Sequence, residues 1–224
     1  MGAAEVSFRS VFLGPPGAGK GTQAHTVAAG PGVLHLSTGD MLRSHVAQGT
    51  ELGAQAKGFM DAGQLVPDAL IIAMVEDQLA SNEESGSWIL DGFPRTIPQA
   101  EALDQSLQTA NAPLTHVVYF RVPNEALIQR LTGRRTCGDC GAIWNVHTHP
   151  TQTEGTCDAC GGALTQRSDD RPEAVAQRLE AYDKQTKPLL DFYRSKGCLV
   201  EIDADRSPDE VSKELSDALA KEVC

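Results

Sequence analysis

The chain is short of several things, and each shortage removes a class of function. Cationic residues are outnumbered: 19 Lys and Arg stand against 30 Asp and Glu, a formal net charge of −11. A general nucleic-acid binder carries a basic footprint instead, so no nucleic-acid partner is expected. No apolar run approaches the roughly 20 residues that span a bilayer, so no membrane partner is expected either. The first seven residues, Met1-Gly2-Ala3-Ala4-Glu5-Val6-Ser7, hold neither a basic n-region nor an apolar h-region. Val6 also stands where a myristoylation pattern wants Ser or Thr. A cytoplasmic location is the resulting expectation. Repeats and low-complexity tracts are missing too, which leaves 224 residues for one good-sized core with room for an inserted subdomain.

What the chain does contain begins at Gly14-Pro15-Pro16-Gly17-Ala18-Gly19-Lys20-Gly21-Thr22. An apolar run, Val11-Phe12-Leu13, precedes it, and a helix-compatible stretch at 23–29 follows. Strand, glycine-rich bend and helix start together make an anion cradle. Glycines let successive N–H groups turn inward, and the helix N-terminus adds partial positive charge. A lysine in this position reaches the outer phosphates of a nucleotide, and a nearby hydroxyl helps hold Mg2+. The common pattern sets Ser or Thr directly after the lysine; here Gly21 intervenes and Thr22 comes one place later. The plain alternative, a glycine-rich turn with no ligand, is disfavoured by the strand–turn–helix context.

Further apolar runs at 33–36, 88–90, 115–120 and 198–202 read as strands, with helical stretches between them. Such alternation indicates an α/β fold with a parallel sheet and the phosphate loop at a strand's carboxyl end. Three short helices between 37 and 79 form an excursion, either a small mobile domain or a helical crossover. A long helix opens at Asp170-Arg171-Pro172-Glu173, with a kink expected at Pro188. Ser207-Pro208-Asp209-Glu210 is a capping box with proline at the first helical position. The run Trp88-Ile89-Leu90 ends in Asp91, the arrangement by which an NTPase sets a metal-side carboxylate beside its phosphate loop. Without the loop upstream, Asp91 would read as an ordinary strand-end residue.

Two CxxC pairs, Cys137/Cys140 and Cys157/Cys160, match the four-thiolate zinc pattern, and a glycine follows each pair. Iron, disulfides or a vacant site are the alternatives, with disulfides disfavoured in a reducing compartment. Four thiolates close a tetrahedron and leave no open position, so the Zn2+ is structural, one per chain. The segment 133–170 has few large apolar residues, and a metal can supply folding energy that such a segment lacks. His147 and His149 read as surface residues; Cys198 and Cys224 have no partner spacing. Six of the twelve arginines (Arg130, Arg134, Arg135, Arg167, Arg171, Arg178) fall in this same part of the chain, a basic patch suited to a small polyanion.

Together these stretches resemble the adenylate kinase family in its long form, whose inserted lid holds zinc through four cysteines. The likeness rests on five motifs in order: the phosphate loop at 14–22, Ser-Thr-Gly-Asp-Met-Leu-Arg at 37–43, Leu-Asp-Gly-Phe-Pro-Arg-Thr at 90–96, Gly-Arg-Arg at 133–135 and Gln-Arg-Ser-Asp-Asp at 166–170. The resemblance implies a P-loop NTPase-type three-layer sandwich of the α/β class, with a five-stranded parallel sheet and an inserted zinc-binding lid. It divides the chain into a core at 1–36, 67–132 and 171–224, an AMP-binding subdomain at 37–66 and a lid at 133–170. The implied activity is reversible transfer between ATP, AMP and ADP (ATP + AMP ⇌ 2 ADP) with Mg2+. A monomer is expected, because nothing in the sequence demands more.

Carried over by position, Gly17, Ala18, Gly19, Lys20, Gly21 and Thr22 take the ATP phosphates, and Lys20 follows the transferring group. Ile143 and Trp144 approach ATP from the lid, and Arg206 lies in the loop whose backbone meets adenine. Thr38, Arg43, Arg95 and Gln99 hold AMP, with Gln64, Leu65, Val66, Gly92, Phe93 and Pro94 around it. Arg130 and Arg134 clamp phosphates on the ATP side and Arg167 and Arg178 on the AMP side, with Asp91 toward the metal. For Arg135 and Arg171 a solvated surface charge is the reading. The lid departs from its relatives at Thr148-His149-Pro150, where an aromatic is frequent, and at Trp144, where a smaller one is common.

The chemistry agrees with the residue types. An AMP phosphate, with its second pKa near about 6, is already an ionised nucleophile, so no general base is needed. Cationic compensation, alignment and exclusion of water are needed, and arginine forks under a closing flap provide them. A kinase acting on CMP, UMP or GMP is one rival. Thr38 and Gln99 favour AMP, because an amide both donates and accepts and so matches adenine N1 and N6. The other rival is a zinc ribbon that binds nucleic acid or protein, but Asp139, Glu154 and Asp158 make this ribbon acidic.

Overall fold

Four of the five residues of β1 (Arg9–Leu13) are buried, which marks it as the middle of a sheet covered on both faces. The computed structural model describes residues 7–82, 86–221 and 223–224, so the leader reading at 1–6 lies outside the described residues. β1 lies between β3 (Ser87–Asp91) and β4 (His116–Arg121), with β2 (Val33–Ser37) and β8 (Leu199–Asp203) outermost. The order is β2-β3-β1-β4-β8 and every neighbouring pair is parallel, the five-stranded sheet expected.

Alternation along the strands divides the core in two. Val11, Leu13, Leu36, Leu90 and Val117 face one way, toward α4 (Asp68–Ala80), α5 (Ile97–Thr109) and α8 (Leu189–Ser195). Phe12, Ile89, Val118, Phe120 and Ile202 face the other, toward α1 (Lys20–Ala28), α6 (Asn124–Gly133) and α9 (Pro208–Leu219). That is the three-layer sandwich. The capping box on α9 forms as read, with Ser207 and Glu210 bonding each other's backbone N–H.

Between β2 and α4 the chain makes a hairpin of α2 (Thr38–Gln48) and α3 (Glu51–Asp61). Ser37 Oγ and Thr50 Oγ1 cap the two helices, and Gly49, at φ +66°, ends the first. The helices touch where Gly53 lies against the His45 carbonyl; a Cβ at 53 would sit 2.2 Å from that oxygen.

Past α6 the chain leaves the sheet for β5 (Arg134–Cys137), β6 (Ile143–Asn145) and β7 (Leu164–Thr165), a small antiparallel sheet in the order β6-β5-β7. It returns through a 3-10 turn at Ser168–Asp170 to α7 (Pro172–Ala181). The single kinked helix expected from here is in fact two, joined by a π-helical turn at Tyr182–Thr186. Lys187 N donates to Tyr182 O at 2.9 Å, a wider turn placed just before Pro188, whose ring lacks a donor and crowds an α-helical carbonyl. The turn also aims Thr186 Oγ1 at Arg95 O, 2.9 Å away.

Cys198 and Cys224 do have a partner, namely each other: they form a disulfide with Cα atoms 4.4 Å apart. Spacing could not reveal this, because the pairing is made through β4. Val117 N donates to Cys198 O, while Thr115 O accepts from Val223 N and Cys224 N, so both cysteines are brought to one strand end. Among the described residues no helix is long and apolar enough to cross a membrane.

Candidate active site

The phosphate loop follows β1 directly. Gly14, at φ +148°, presses so close to β4 that a Cβ there would lie 2.9 Å from Phe120 O. Gly19, at φ +91°, caps α1 without any side-chain hydrogen bond, so the first-turn N–H groups are left for an anion. Lys20 is the first residue of α1, and its Nζ donates to Gly14 O at 2.7 Å and Pro15 O at 3.0 Å. Burial in the cleft lowers its pKa to about 8; Asp91 opposes the shift, while Arg95, Arg178 and Arg134 add to it.

Asp91 ends β3 next to this loop. A Cβ at Gly21 would stand 3.2 Å from Asp91 Oδ2, so a glycine after the lysine gives the carboxylate room. His35 Nε2 is 3.8 Å from the same oxygen and, among the described residues, has no hydrogen-bond partner. Thr22 is exposed at the surface of α1.

A groove opens beside Asp91, lined by Thr38, Arg43, Gln64, Leu65, Val66, Gly92, Arg95, Gln99 and Arg178. Phe93 and Pro94, expected around AMP, are buried and do not line it; the peptide bond between them is cis. Gly92, at φ +81°, is needed here, because a Cβ would lie 2.9 Å from both Thr38 Oγ1 and Arg95 Nη2. Thr38 Oγ1 and Arg95 Nε both donate to Gly92 O, at 2.9 and 2.7 Å. Arg43 turns to Asp40 on its own helix at 2.5 Å. Burial first, and then the Arg178 guanidinium, lowers the Arg95 pKa to about 10.

The remaining arginines come from the lid and α7. Arg134 forks onto Asp170, with Nε to Oδ2 at 2.8 Å and Nη2 to Oδ1 at 2.6 Å. Arg178 reaches Asp170 Oδ1 at 2.9 Å and Asp169 Oδ2 at 3.0 Å. Asp170 is fully buried between the two guanidinium groups. Arg167 Nε donates to Thr136 Oγ1 at 3.1 Å, and its pKa is lowered to about 10, by burial and then by Arg134 and Arg43. The Arg178 pKa is also lowered, chiefly by burial. The pKa values of Lys20, Arg95, Arg167 and Arg178 are all lowered, first by burial and in each of the four also by other cations of the cleft; such a surplus calls for an anion.

The side chains of two expected ATP-site residues bond to the protein itself. Arg130 donates to Ala204 O and Asp205 Oδ1, and Arg206 bonds Asp203 O and Glu214. Ile143 is exposed, and Trp144 stacks on His149 with ring centroids 4.8 Å apart. Sequence reasoning named Asp169 and Asp170 only as part of a motif; two carboxylates beside lid arginines were the available signal for their pairing.

The four lid sulfurs lie within 4.8 Å of one another, with Cys137–Cys160 at 3.4 Å and Cys140–Cys157 at 3.7 Å. A zinc ion with Zn–S near about 2.3 Å sets its sulfurs roughly 3.8 Å apart, so the donor set fits. Gly141 N and Gly161 N turn back to the carbonyls of Cys137 and Cys157, both glycines at positive φ. His147 and His149 are exposed and outside the cluster, as read.

A parallel sheet of this order, with a lysine-bearing glycine loop at the carboxyl end of its central strand, defines a P-loop NTPase-type nucleotide enzyme. The family model described as adenylate kinase matches residues 12–198. The chain is 50% identical over 214 residues to an adenylate kinase of Carboxydothermus hydrogenoformans, covering 96% of this chain and all of the relative. It is 49% identical to one of Thermodesulfovibrio yellowstonii over the same shares, and 47% identical over 211 residues to one of Archaeoglobus fulgidus, covering 94% and 97%. The chain belongs to the adenylate kinase family of phosphotransferases.

Proposed function

We propose that the chain catalyses ATP + AMP ⇌ 2 ADP, with AMP in the groove beside Asp91 and ATP on the loop at 14–22. A phosphate oxygen of AMP attacks the γ-phosphorus of ATP, the bond from that phosphorus to the β,γ-bridging oxygen breaks, and its electron pair stays on the β-phosphate. No proton moves, so the residues are left to align and neutralise. Lys20 gives up its loop carbonyls and follows the transferring phosphoryl group. Arg95 and Arg43 hold the acceptor's phosphate; Arg134, Arg167 and Arg178 surround the group in flight. The observation that carries this reading is the gathering of Lys20, Arg43, Arg95, Arg134, Arg167 and Arg178 around one cleft, where burial and neighbouring cations lower the pKa of Lys20, Arg95, Arg167 and Arg178 and the phosphates of two nucleotides would relieve the surplus.

Asp91 and Thr22 are the residues that would hold Mg2+, a hard cation suited to carboxylate and hydroxyl oxygens, and the ion would neutralise the outer phosphates of ATP. Asp91 Oδ2 has His35 as its only ion-pair neighbour among the described residues, which leaves that oxygen available. The four cysteines would hold one structural Zn2+. The core at 1–36, 67–132 and 171–224, the AMP-binding arm at 37–66 and the lid at 133–170 follow as working parts of a cytoplasmic monomer. The separate lid sheet supports that division.

The test is product analysis by chromatography with ATP and each of AMP, CMP, UMP and GMP. Turnover concentrated on AMP is expected. Equal rates with CMP would defeat the acceptor assignment, and a gel-shift with no turnover would favour the zinc-ribbon reading.

A further inference from the structure

Gln99 is the third residue of α5, directly after Pro98, and is only 2% exposed, yet it lines the groove. The two ends of a glutamine amide are nearly equal in shape, so its hydrogen-bond partners decide which way it faces. Both partners are present. Gln99 Oε1 accepts from Arg95 N at 2.7 Å, and Gln99 Nε2 donates to Asp68 Oδ1 at 2.7 Å. A backbone N–H can only donate and a carboxylate can only accept, so the reversed amide would set donor against donor and acceptor against acceptor. Asp68 itself is held. Thr96 Oγ1 donates to its Oδ2 at 2.9 Å, and the same oxygen of Thr96 caps α5 by accepting from Gln99 N. Asp68 also sits in the first turn of α4, where the helix dipole favours negative charge.

An amide has two donors and two acceptors, and here one of each is used. The remaining N–H and lone pair form a donor–acceptor pair with fixed polarity. Adenine offers an acceptor at N1 and a donor at N6; a 6-oxopurine offers the reverse, a donor at N1 and an acceptor at O6. The orientation of one amide therefore chooses between them.

We propose that Asp68 is a positioning residue for acceptor specificity: by binding Gln99 Nε2 it fixes the amide in the sense that accepts a 6-aminopurine nucleotide and rejects a 6-oxopurine one. Asp68 does not line the groove, and its contact with a groove-lining side chain is the one to Gln99. The inference rests on the reading of Gln99 as the residue that meets the base. A merely structural Asp68 would alter both acceptors alike; an orienting one alters their ratio.

The experiment measures kcat/KM for AMP and for IMP, at fixed ATP, in the full-length protein and in Asp68→Asn, Asp68→Glu and Gln99→Leu, by chromatography of the diphosphates formed. Asn can present either a donor or an acceptor, so Asp68→Asn should lower the AMP-to-IMP ratio roughly tenfold, the worth of one charge-assisted hydrogen bond. Asp68→Glu should restore part of the ratio, and Gln99→Leu should lose it. A ratio unchanged in Asp68→Asn, while Gln99→Leu abolishes it, overturns this proposal and leaves the Gln99 reading standing. A ratio unchanged in Gln99→Leu overturns both. Should Asp68→Asn fail to fold, the wild-type Gln99 side-chain NH2 signals decide, assigned by their loss in Gln99→Leu. One proton displaced downfield by a carboxylate supports the proposal, and free-amide positions for both sink it.

Discussion

The sheet domain and the cysteine-bearing lid reach order by different means. In the former, Phe12, Ile89, Leu90, Phe120, Leu127, Leu189, Ile202 and Leu215 are almost fully buried, from strands and helices on both faces of one sheet. In the latter, between 134 and 169, the buried residues are Cys137 and Cys157. Neither apolar cluster of the core includes a residue from that span. A segment so poor in apolar contacts cannot offset its conformational entropy by burial, and four convergent sulfurs offer a substitute. One chain thus holds a part whose stability comes from area and a part whose four clustered sulfurs are placed to draw stability from a bound metal.

Treatment with a strong chelator is the harshest test of that contrast. Structural zinc is worth about 10 kcal/mol or more of apparent binding energy in small metal-folded modules, so chelation should disorder the lid while the sheet survives. Amide spectra should lose dispersion for lid residues and keep it for β1, β3 and β4. Simultaneous loss everywhere would erase the distinction. Next in size is Lys20→Met, expected to lower kcat/KM roughly 10³-fold, as loss of a transition-state charge contact does. Zinc content should stay at one per chain, and the unliganded melting temperature should not fall, since a desolvated charge is removed.

A pH series sharpens the picture further. Lys20 has a pKa of about 8 in the unliganded cleft, below its ordinary 10.5, and a bound phosphate would restore its proton. ATP affinity should be level below pH 8 and then fall by up to about tenfold per pH unit, with proton uptake in calorimetry. In the unliganded protein the sign is the opposite. The unfolded chain binds more protons between about 8 and 10.5, so the depression destabilises below pH 8 and fades as pH rises. Affinity flat across pH 8–10 would count against Lys20 as a phosphate ligand. Smallest of all is Ser207→Ala, which removes one half of the α9 capping box and should cost about 1 kcal/mol, or roughly 2–4 °C, in the sheet domain alone.

The parts of the site legible in the sequence were those whose chemistry depends on close spacing. The loop at 14–22, Asp91 at a strand end and the two CxxC pairs needed only local rules, and so did the Ser207 cap. What stayed hidden depends on distant segments meeting. Arg134 and Arg178 share Asp170 because the lid returns to the base of α7, and Gln99 meets Asp68 because α4 and α5 lie side by side. Phe93 and Pro94 stand within the motif but are buried and are not among the residues that line the groove. Likewise the π-helical turn before Pro188 was read as a simple kink, since proline signals a break without saying how the backbone upstream relaxes.

Gly21 and Asp91, seventy positions apart, act as one choice made in two places. Grafting the more widespread loop ending, with serine or threonine after the lysine, would set a Cβ 3.2 Å from Asp91 Oδ2 and ask the carboxylate at the end of β3 to give way by a few tenths of an ångström. Swapping such loops between nucleotide enzymes therefore touches two places at once, and a chimera built from the loop alone should inherit a slightly displaced acid.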